Sequence, residues 1–313
     1  MIPLSFIGIM FFAIGFALGI NSLLVPVLQG SLGISNAASY LIIAATFIPF
    51  LVFGYPAGLT IKAIGYKKTM SLSFFIFAAA FYLFILSANE KSFSLFLLAS
   101  FVSGAANAYL QASVNPYITI LGPLESAAKR ISIMGICNKM AWPIPSIFIV
   151  WLLGKDVNLI SIDDLEKPFL IIIAAFIVLG IMAFFAPLPE VKAAGETKAK
   201  ILQMLVLMLP ERLQSSSSPT CCWVVWLCSF MLGVETVSLG TLVDYANSLG
   251  LEGAANYAWI APIGIVIGYI CGIIFIPKYI SQATALKVCS WLAIIGSLLV
   301  VLTPSDISIY FIS

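Results

Sequence analysis

The sequence predicts an all-α protein that crosses a lipid bilayer many times. Of its 313 residues, 62% are hydrophobic and 9% are charged, and the mean hydropathy is +1.12. A soluble globule of this length needs more polar surface than that. The backbone groups of a segment in lipid must be satisfied within the membrane structure itself, and the chain lacks the alternation of polar and apolar positions that a β-barrel requires. We therefore expect helices of about 20 residues.

Nine apolar segments are long enough to be such helices, and a tenth begins near the end of the chain. No charged residue precedes Lys62, so the first segment lacks the basic leader of a signal peptide and is expected to remain as a span. The predicted spans cover residues 4–27, 38–61, 69–87, 92–121, 131–154, 168–187, 222–246, 255–277 and 287–303.

The lysines and arginines are distributed unequally between the two sides of these spans. One side carries Lys62, Lys67, Lys68, Lys129, Arg130, Lys192, Lys198, Lys200, Arg212, Lys278 and Lys287. The other side carries Lys91, Lys155 and Lys167, and Lys139 lies inside the fifth span. Because positive charge accumulates in cytoplasmic loops, the amino terminus is predicted to be cytoplasmic.

Two motifs recur in the same order along the chain. SLGISNAASY at residues 31–40 returns as SLGLEGAANY at residues 248–257, and Gly54-Tyr55-x-x-Gly58 returns at residues 268–272. Two ordered matches indicate two related halves. Parallel six-helix repeats are typical of secondary transporters, whose solute site lies near mid-membrane between the halves.

The repeat predicts three regions: a six-helix transmembrane half at residues 1–190, a cytoplasmic linker at 191–221 and a partial second half at 222–313. The offset between the motifs places Ser313 where the fourth helix of the second half begins. We therefore expect a complete first half and an incomplete second half. Residues 204–230 interrupt the pattern, which indicates either a reading-frame slip or a divergent linker.

The fourth span carries three amides on one helical face. Asn107, Gln111 and Asn115 are spaced at i, i+4 and i+8, and Pro116 follows directly. Amides within the membrane can hold helices together by hydrogen bonds. Three on one face instead favour a hydrated cavity that binds a polar solute.

Two ionisable residues, Lys139 and Glu235, lie deep inside the fifth and seventh spans. Buried charges of this kind usually serve function and need partners. We expect the two to face each other across the cavity, with Asn138 and Trp142 available to the hydroxyls and ring face of a sugar. The alternative is a purely structural ion pair.

Asn21 is the strongly polar side chain of the first span, and the repeat places it at a depth comparable to that of Glu235. The two residues are therefore predicted to mark one level of one cavity.

The sequence lacks the residue patterns of common enzyme active sites, and the protein is not expected to be an enzyme. There is no histidine for a zinc site or a Ser-His pair, and Asp244 is the single aspartate within a predicted span. The six cysteines show no metal-ligand spacing, and no bound cofactor is expected. A net charge of +2 gives no basic surface for nucleic acid.

Several stretches resemble the fucose permease and glucose/galactose transporter family of the major facilitator superfamily. The most specific runs from Gln111 through Asn115-Pro116-Tyr117 to Gly122-Pro123. The run Asn21-Ser-Leu-Leu-Val-Pro26 and Gly233-Val-Glu235 resemble the same family. Gly58, Gly65, Lys67 and Lys68 match the loop motif that follows helix two in this superfamily.

This resemblance implies twelve helices, alternating access and cation-coupled uptake of a monosaccharide across the bacterial inner membrane by a multi-pass monomer. In the fucose permease branch, acidic residues stand at the positions held here by Asn21 and Gln111. Amides do not titrate, so the glucose/galactose branch is the nearer likeness, and the coupling ion is H+ or Na+. The alternative is a membrane protein that binds sugar without transporting it, or an inactive truncated fragment.

Overall fold

The computed structural model describes residues 2–122, 126–155, 159–186, 188, 260–276 and 278–303, and the regular structure within these ranges is helical. The chain divides into two compact units, Met1–Val191 and Lys192–Ser313. Within the described ranges, 7 helical segments are long and apolar enough to cross a membrane. The prediction of an all-α protein that spans the membrane several times is therefore confirmed. The predicted span at 222–246 lies outside the described residues.

The helices follow the predicted spans closely. In the first unit they are α1 (Ile2–Leu32), α2 (Asn36–Ser39), α3 (Leu41–Ile64), α4 (Tyr66–Asn89), α5 (Phe93–Ile120), α6 (Ala127–Ala141), α7 (Ile144–Leu153) and α8 (Glu166–Phe185), with a 3₁₀ turn at Ile162–Leu165 before α8. The described helices of the second unit are α9 (Ile260–Phe275) and α10 (Gln282–Leu302).

The fifth predicted span differs from expectation because it is broken into α6 and α7. The break falls at Trp142 and Pro143, where the Trp142 amide donates to Lys139 O at 3.3 Å, three residues back. Pro143 and Pro145 have no amide hydrogen for the carbonyls four residues earlier, and their rings crowd the preceding turn. Two prolines so close together end one helix and start another within a single span.

α5 is the central helix of the first unit and packs against α1, α3, α4 and α6. The contact with α3 is close, since a Cβ added to Gly104 would lie 2.0 Å from Thr46 O. α4 also packs against α8 through stacked rings, with the Phe77 and Phe176 centroids 5.0 Å apart. These contacts hold α5 in a rigid bundle.

Candidate functional site

The first polar contact of the candidate site joins α1 to α5. Asn21 is 3% exposed, and its Nδ2 donates to Ala17 O at 3.2 Å and to Ser103 Oγ at 3.5 Å. Ser103 is itself buried on α5. The predicted candidate on the first span therefore lies at the interface between α1 and the helix that carries the three spaced amides.

Among the described residues, two buried side-chain oxygens have no hydrogen-bond partner, Asn21 Oδ1 and Ser100 Oγ. Helical serines often bond the carbonyl four residues earlier, as Ser113 Oγ does with Tyr109 O at 2.8 Å. Leaving a buried polar atom unpaired costs about 1–3 kcal/mol. Both oxygens, one on α1 and one on α5, are therefore available as acceptors.

The three amides of α5 form a gradient of exposure rather than a uniform polar face. Asn107 is 1% exposed, Gln111 is half-buried and Asn115 is exposed. Gln111 Nε2 donates to Asn107 Oδ1 at 3.0 Å. The buried amide thus orients the half-buried one, and Gln111 and Asn115 remain accessible to a ligand.

Asn138, which the sequence analysis predicts to contact a sugar, bonds α6 to α1. Asn138 Nδ2 donates to Phe11 O at 3.1 Å, so at least this donor serves the helix contact. The helices approach closely here, because Cβ atoms added to Gly15 and Gly19 would lie 1.9 Å from Asn138 O and 2.0 Å from Trp142 O.

Lys139 and Trp142 are close together at the junction of α6 and α7. The Lys139 Nζ lies 5.7 Å from the centroid of the Trp142 ring, and both residues are half-buried. A cation over an aromatic face is stabilised by about 0.5–2 kcal/mol, depending on desolvation. The contact positions a positive charge within a membrane span. Glu235, its predicted partner, lies outside the described residues, so the ion pair stays a prediction.

Sequence reasoning missed Ser100 and Ser103, although a signal was present. Both stand on the α5 face of Asn107, at seven and four residues before it, which is the spacing of neighbouring turns. It also missed Arg130, whose guanidinium bonds the last turn of α5. Arg130 and Ile118 are 12 positions apart and lie on different helices, so no local sequence pattern predicts their contact.

The candidate side chains on α1, on α5 and at the α6–α7 junction are amides, serine hydroxyls, Lys139 and Trp142. Neutral amides both donate and accept hydrogen bonds, as sugar hydroxyls do, and an aromatic face suits the apolar side of a sugar ring. No group of three or more His, Cys, Asp or Glu residues that could hold a metal occurs within the described parts of the chain. The arrangement is suited to binding a neutral polar solute.

The sequence pattern of the Major Facilitator Superfamily matches residues 6–313. The chain belongs to the major facilitator superfamily. This membership accounts for the repeat of two motifs and for the helical bundle that surrounds α5.

Two relatives within the superfamily are named as sugar transporters. The chain is 30% identical over 193 residues to a glucose/galactose transporter of Brucella abortus biovar 1 (strain 9-941), covering 60% of this chain and 47% of that protein. It is 25% identical over 218 residues to the L-fucose-proton symporter of Escherichia coli (strain K12), covering 64% and 50%. The predicted resemblance to this transporter family is thereby confirmed. The chain spans about half the length of both relatives.

Solved structures share the fold. A crystal structure of the Major Facilitator Superfamily transporter FucP in the outward conformation aligns with a TM-score of 0.77 at 20% identity, over 100% of this chain and 80% of that one. A bacterial homologue of the human lysosomal transporter Spinster, inward-facing and occupied, aligns with a TM-score of 0.58 at 16% identity, over 99% and 70%. At these identities the likeness establishes the fold alone.

Proposed function

We propose that this chain takes part in cation-coupled uptake of a monosaccharide by alternating access across the bacterial inner membrane. The observation that carries the proposal is the set of neutral amides on the packed helices α1, α5 and α6, together with the Lys139–Trp142 contact. Amides buried in a membrane are costly unless they bind something or hold helices together. The names of the two relatives, a glucose/galactose transporter and an L-fucose-proton symporter, support a sugar as the solute.

The residues have distinct proposed roles. Gln111 and Asn115 bind sugar hydroxyls, Asn107 orients Gln111, and Trp142 stacks against the ring. Asn21 and Asn138 bind sugar hydroxyls through the amide atoms that are not used in their contacts with neighbouring helices. Glu235 titrates or binds the coupling cation, H+ or Na+, and Lys139 acts as its internal competitor.

The proposed topology places the amino terminus in the cytoplasm. Lys91 Nζ lies 3.7 Å from Asp163, and Lys155 Nζ lies 2.7 Å from Asp164. The loops that follow α4 and α7 therefore lie at the same end of the unit. This is expected, because these loops follow the third and the fifth membrane spans, and the chain changes sides with each span. This end carries Lys91, Lys155 and Lys167, fewer basic residues than the opposite end, which supports assigning it to the outer side.

The first test is uptake of radiolabelled fucose, galactose and glucose by cells that express the chain, with sodium and pH varied independently. We expect uptake of at least one sugar and its loss in Glu235→Gln, because a neutral amide cannot take up a proton or balance a cation. Uptake that follows sodium identifies Na+ as the coupling ion, and uptake that follows pH identifies H+.

Sugar binding without transport is the alternative, and it makes a different prediction. In that case the purified protein binds sugar, but vesicles preloaded with unlabelled sugar show no counterflow. Absence of both binding and uptake, with the protein present in the membrane, contradicts both functions.

A further inference from the structure

The last turn of α5 is bonded by a side chain from the start of α6. Carbonyls at the end of a helix have no partner within it. Arg130 Nε donates to Ile118 O at 3.1 Å, and Nη2 donates to Thr119 O at 3.0 Å. Its Nη1 donates to Ser126 Oγ. One guanidinium therefore joins the end of α5 to the first turn of α6.

The position of Arg130 suits its charge and shape. The carboxyl end of a helix carries partial negative charge, which a cation stabilises. A planar guanidinium can reach two successive carbonyls at once in a fixed geometry, which a point-like ammonium does not offer. The guanidinium is held closely, because a Cβ added to Gly122 would lie 2.9 Å from Nη1. The neighbouring Lys129 is exposed, while Arg130 is half-buried.

We propose that Arg130 is a positioning residue that holds the amide face of α5 in register with the face of α6 that carries Asn138 and Lys139. Ile118 lies two helical turns after Gln111, so the end of α5 sets the rotation and height of that amide. α6 is in turn fastened to α1 through Asn138 and Phe11 O. Arg130 thus adds a link between the end of α5 and α6 to the contacts that α5 makes with α1, α3 and α4. The consequence for sugar binding rests on the proposed function.

Hydrogen exchange of the purified full-length chain tests the link directly. In Arg130→Gln, the backbone amides at the end of α5, residues 117–122, should exchange about tenfold faster, as loss of about 1.4 kcal/mol from charged hydrogen bonds predicts. Gly122→Ala should act in the same direction but more weakly, because the added methyl forces the guanidinium to shift without removing its charge. Lys129→Gln is the matched control and should leave exchange unchanged. Arg130→Lys should be intermediate.

Transport kinetics separate positioning from a merely structural role. Positioning predicts that Arg130→Gln raises KM for sugar by up to about tenfold, while Vmax per molecule in the membrane is retained, since binding must then restore the register that the guanidinium otherwise holds. A structural role predicts less protein in the membrane, faster exchange throughout α4 and α5, and an unchanged KM.

Two results overturn the proposal: wild-type exchange at the end of α5 in Arg130→Gln, or faster local exchange with an unchanged KM. If the wild-type chain takes up no sugar, the proposed function fails, and sugar binding affinity replaces KM as the second readout. If sugar binding is also absent, exchange alone decides whether Arg130 holds α5.

Discussion

Neutral amides at the centre of a membrane protein act through hydrogen bonds rather than through charge. Gln111 shows this most clearly, because its Nε2 donates to the buried Oδ1 of Asn107 at 3.0 Å while the side chain remains half-buried. Its carbonyl oxygen can then face a ligand. The amide pair keeps a fixed orientation at every pH, which a carboxylate at the same position would not.

Gln111→Glu should make sugar binding depend on pH. A protonated carboxyl introduced at this position can donate to Asn107 Oδ1 in place of the amide, whereas an ionised one can only accept, so the Asn107 amide must turn to present Nδ2 in place of Oδ1. Binding should therefore be near normal at acidic pH and fall about tenfold or more as the pH rises and the carboxyl ionises. Calorimetric titration with sugar at several pH values measures this.

The matched control for this substitution is Asn115→Asp on the same face of α5. Asn115 is more exposed than Gln111, so a carboxyl introduced there is easier to ionise, and any pH dependence should fall at a lower pH than in Gln111→Glu. A pH-independent affinity in Gln111→Glu would contradict the role assigned to the Asn107–Gln111 hydrogen bond.

At the scale of elements, the close approach of α1 to the α6–α7 junction depends on two glycines. Carbonyl oxygens of Asn138 and Trp142 occupy the places where Cβ atoms of Gly15 and Gly19 would stand. The broken span was predicted as one helix from its hydrophobicity, since apolar length does not reveal a break. Two prolines at the break were visible in the sequence, but whether prolines bend or interrupt a membrane helix depends on what packs beside them.

Gly19→Ala should push α1 away from the α6–α7 junction. The new Cβ would stand 2.0 Å from Trp142 O, which is backbone and cannot rotate aside. Overpacking of this kind costs about 1–3 kcal/mol. Thermal unfolding in detergent should show a clear loss of stability, together with weaker sugar binding through the displaced Trp142.

Gly30→Ala is the control on the same helix, because nothing lies within 4 Å of an added Cβ there. The unfolding temperature of Gly30→Ala should be unchanged or slightly higher, since alanine favours a helix more than glycine does. Equal destabilisation by both substitutions would mean that helix propensity, rather than the contact between α1 and the α6–α7 junction, governs this region.

At the scale of the whole molecule, the distribution of charge predicts which side of the membrane each loop occupies. Lys62 lies in the last turn of α3 on the side rich in basic residues, and Lys91 follows α4 on the side that carries few of them. The positive-inside rule then places Lys62 in the cytoplasm and Lys91 outside.

Cysteine labelling in intact cells tests this orientation. In a background in which the six native cysteines are replaced by serine, Lys91→Cys should react with a membrane-impermeant maleimide. Lys62→Cys should react only after the cells are opened. Labelling of Lys62→Cys from outside would reverse the proposed topology and place the amino terminus outside the cell.

The sequence by itself determined that the chain is helical, spans the membrane repeatedly and resembles a sugar transporter family, because hydrophobic length, loop charge and local motifs are properties of contiguous residues. It also determined the amide series of α5, since a spacing of four defines a helical face. Only tertiary structure decided that Asn107 is buried and Asn115 exposed, that Asn138 bonds to Phe11 O, and that Arg130 reaches the end of α5. Which way a helix face turns, and which distant carbonyl a side chain meets, depends on how several helices pack together.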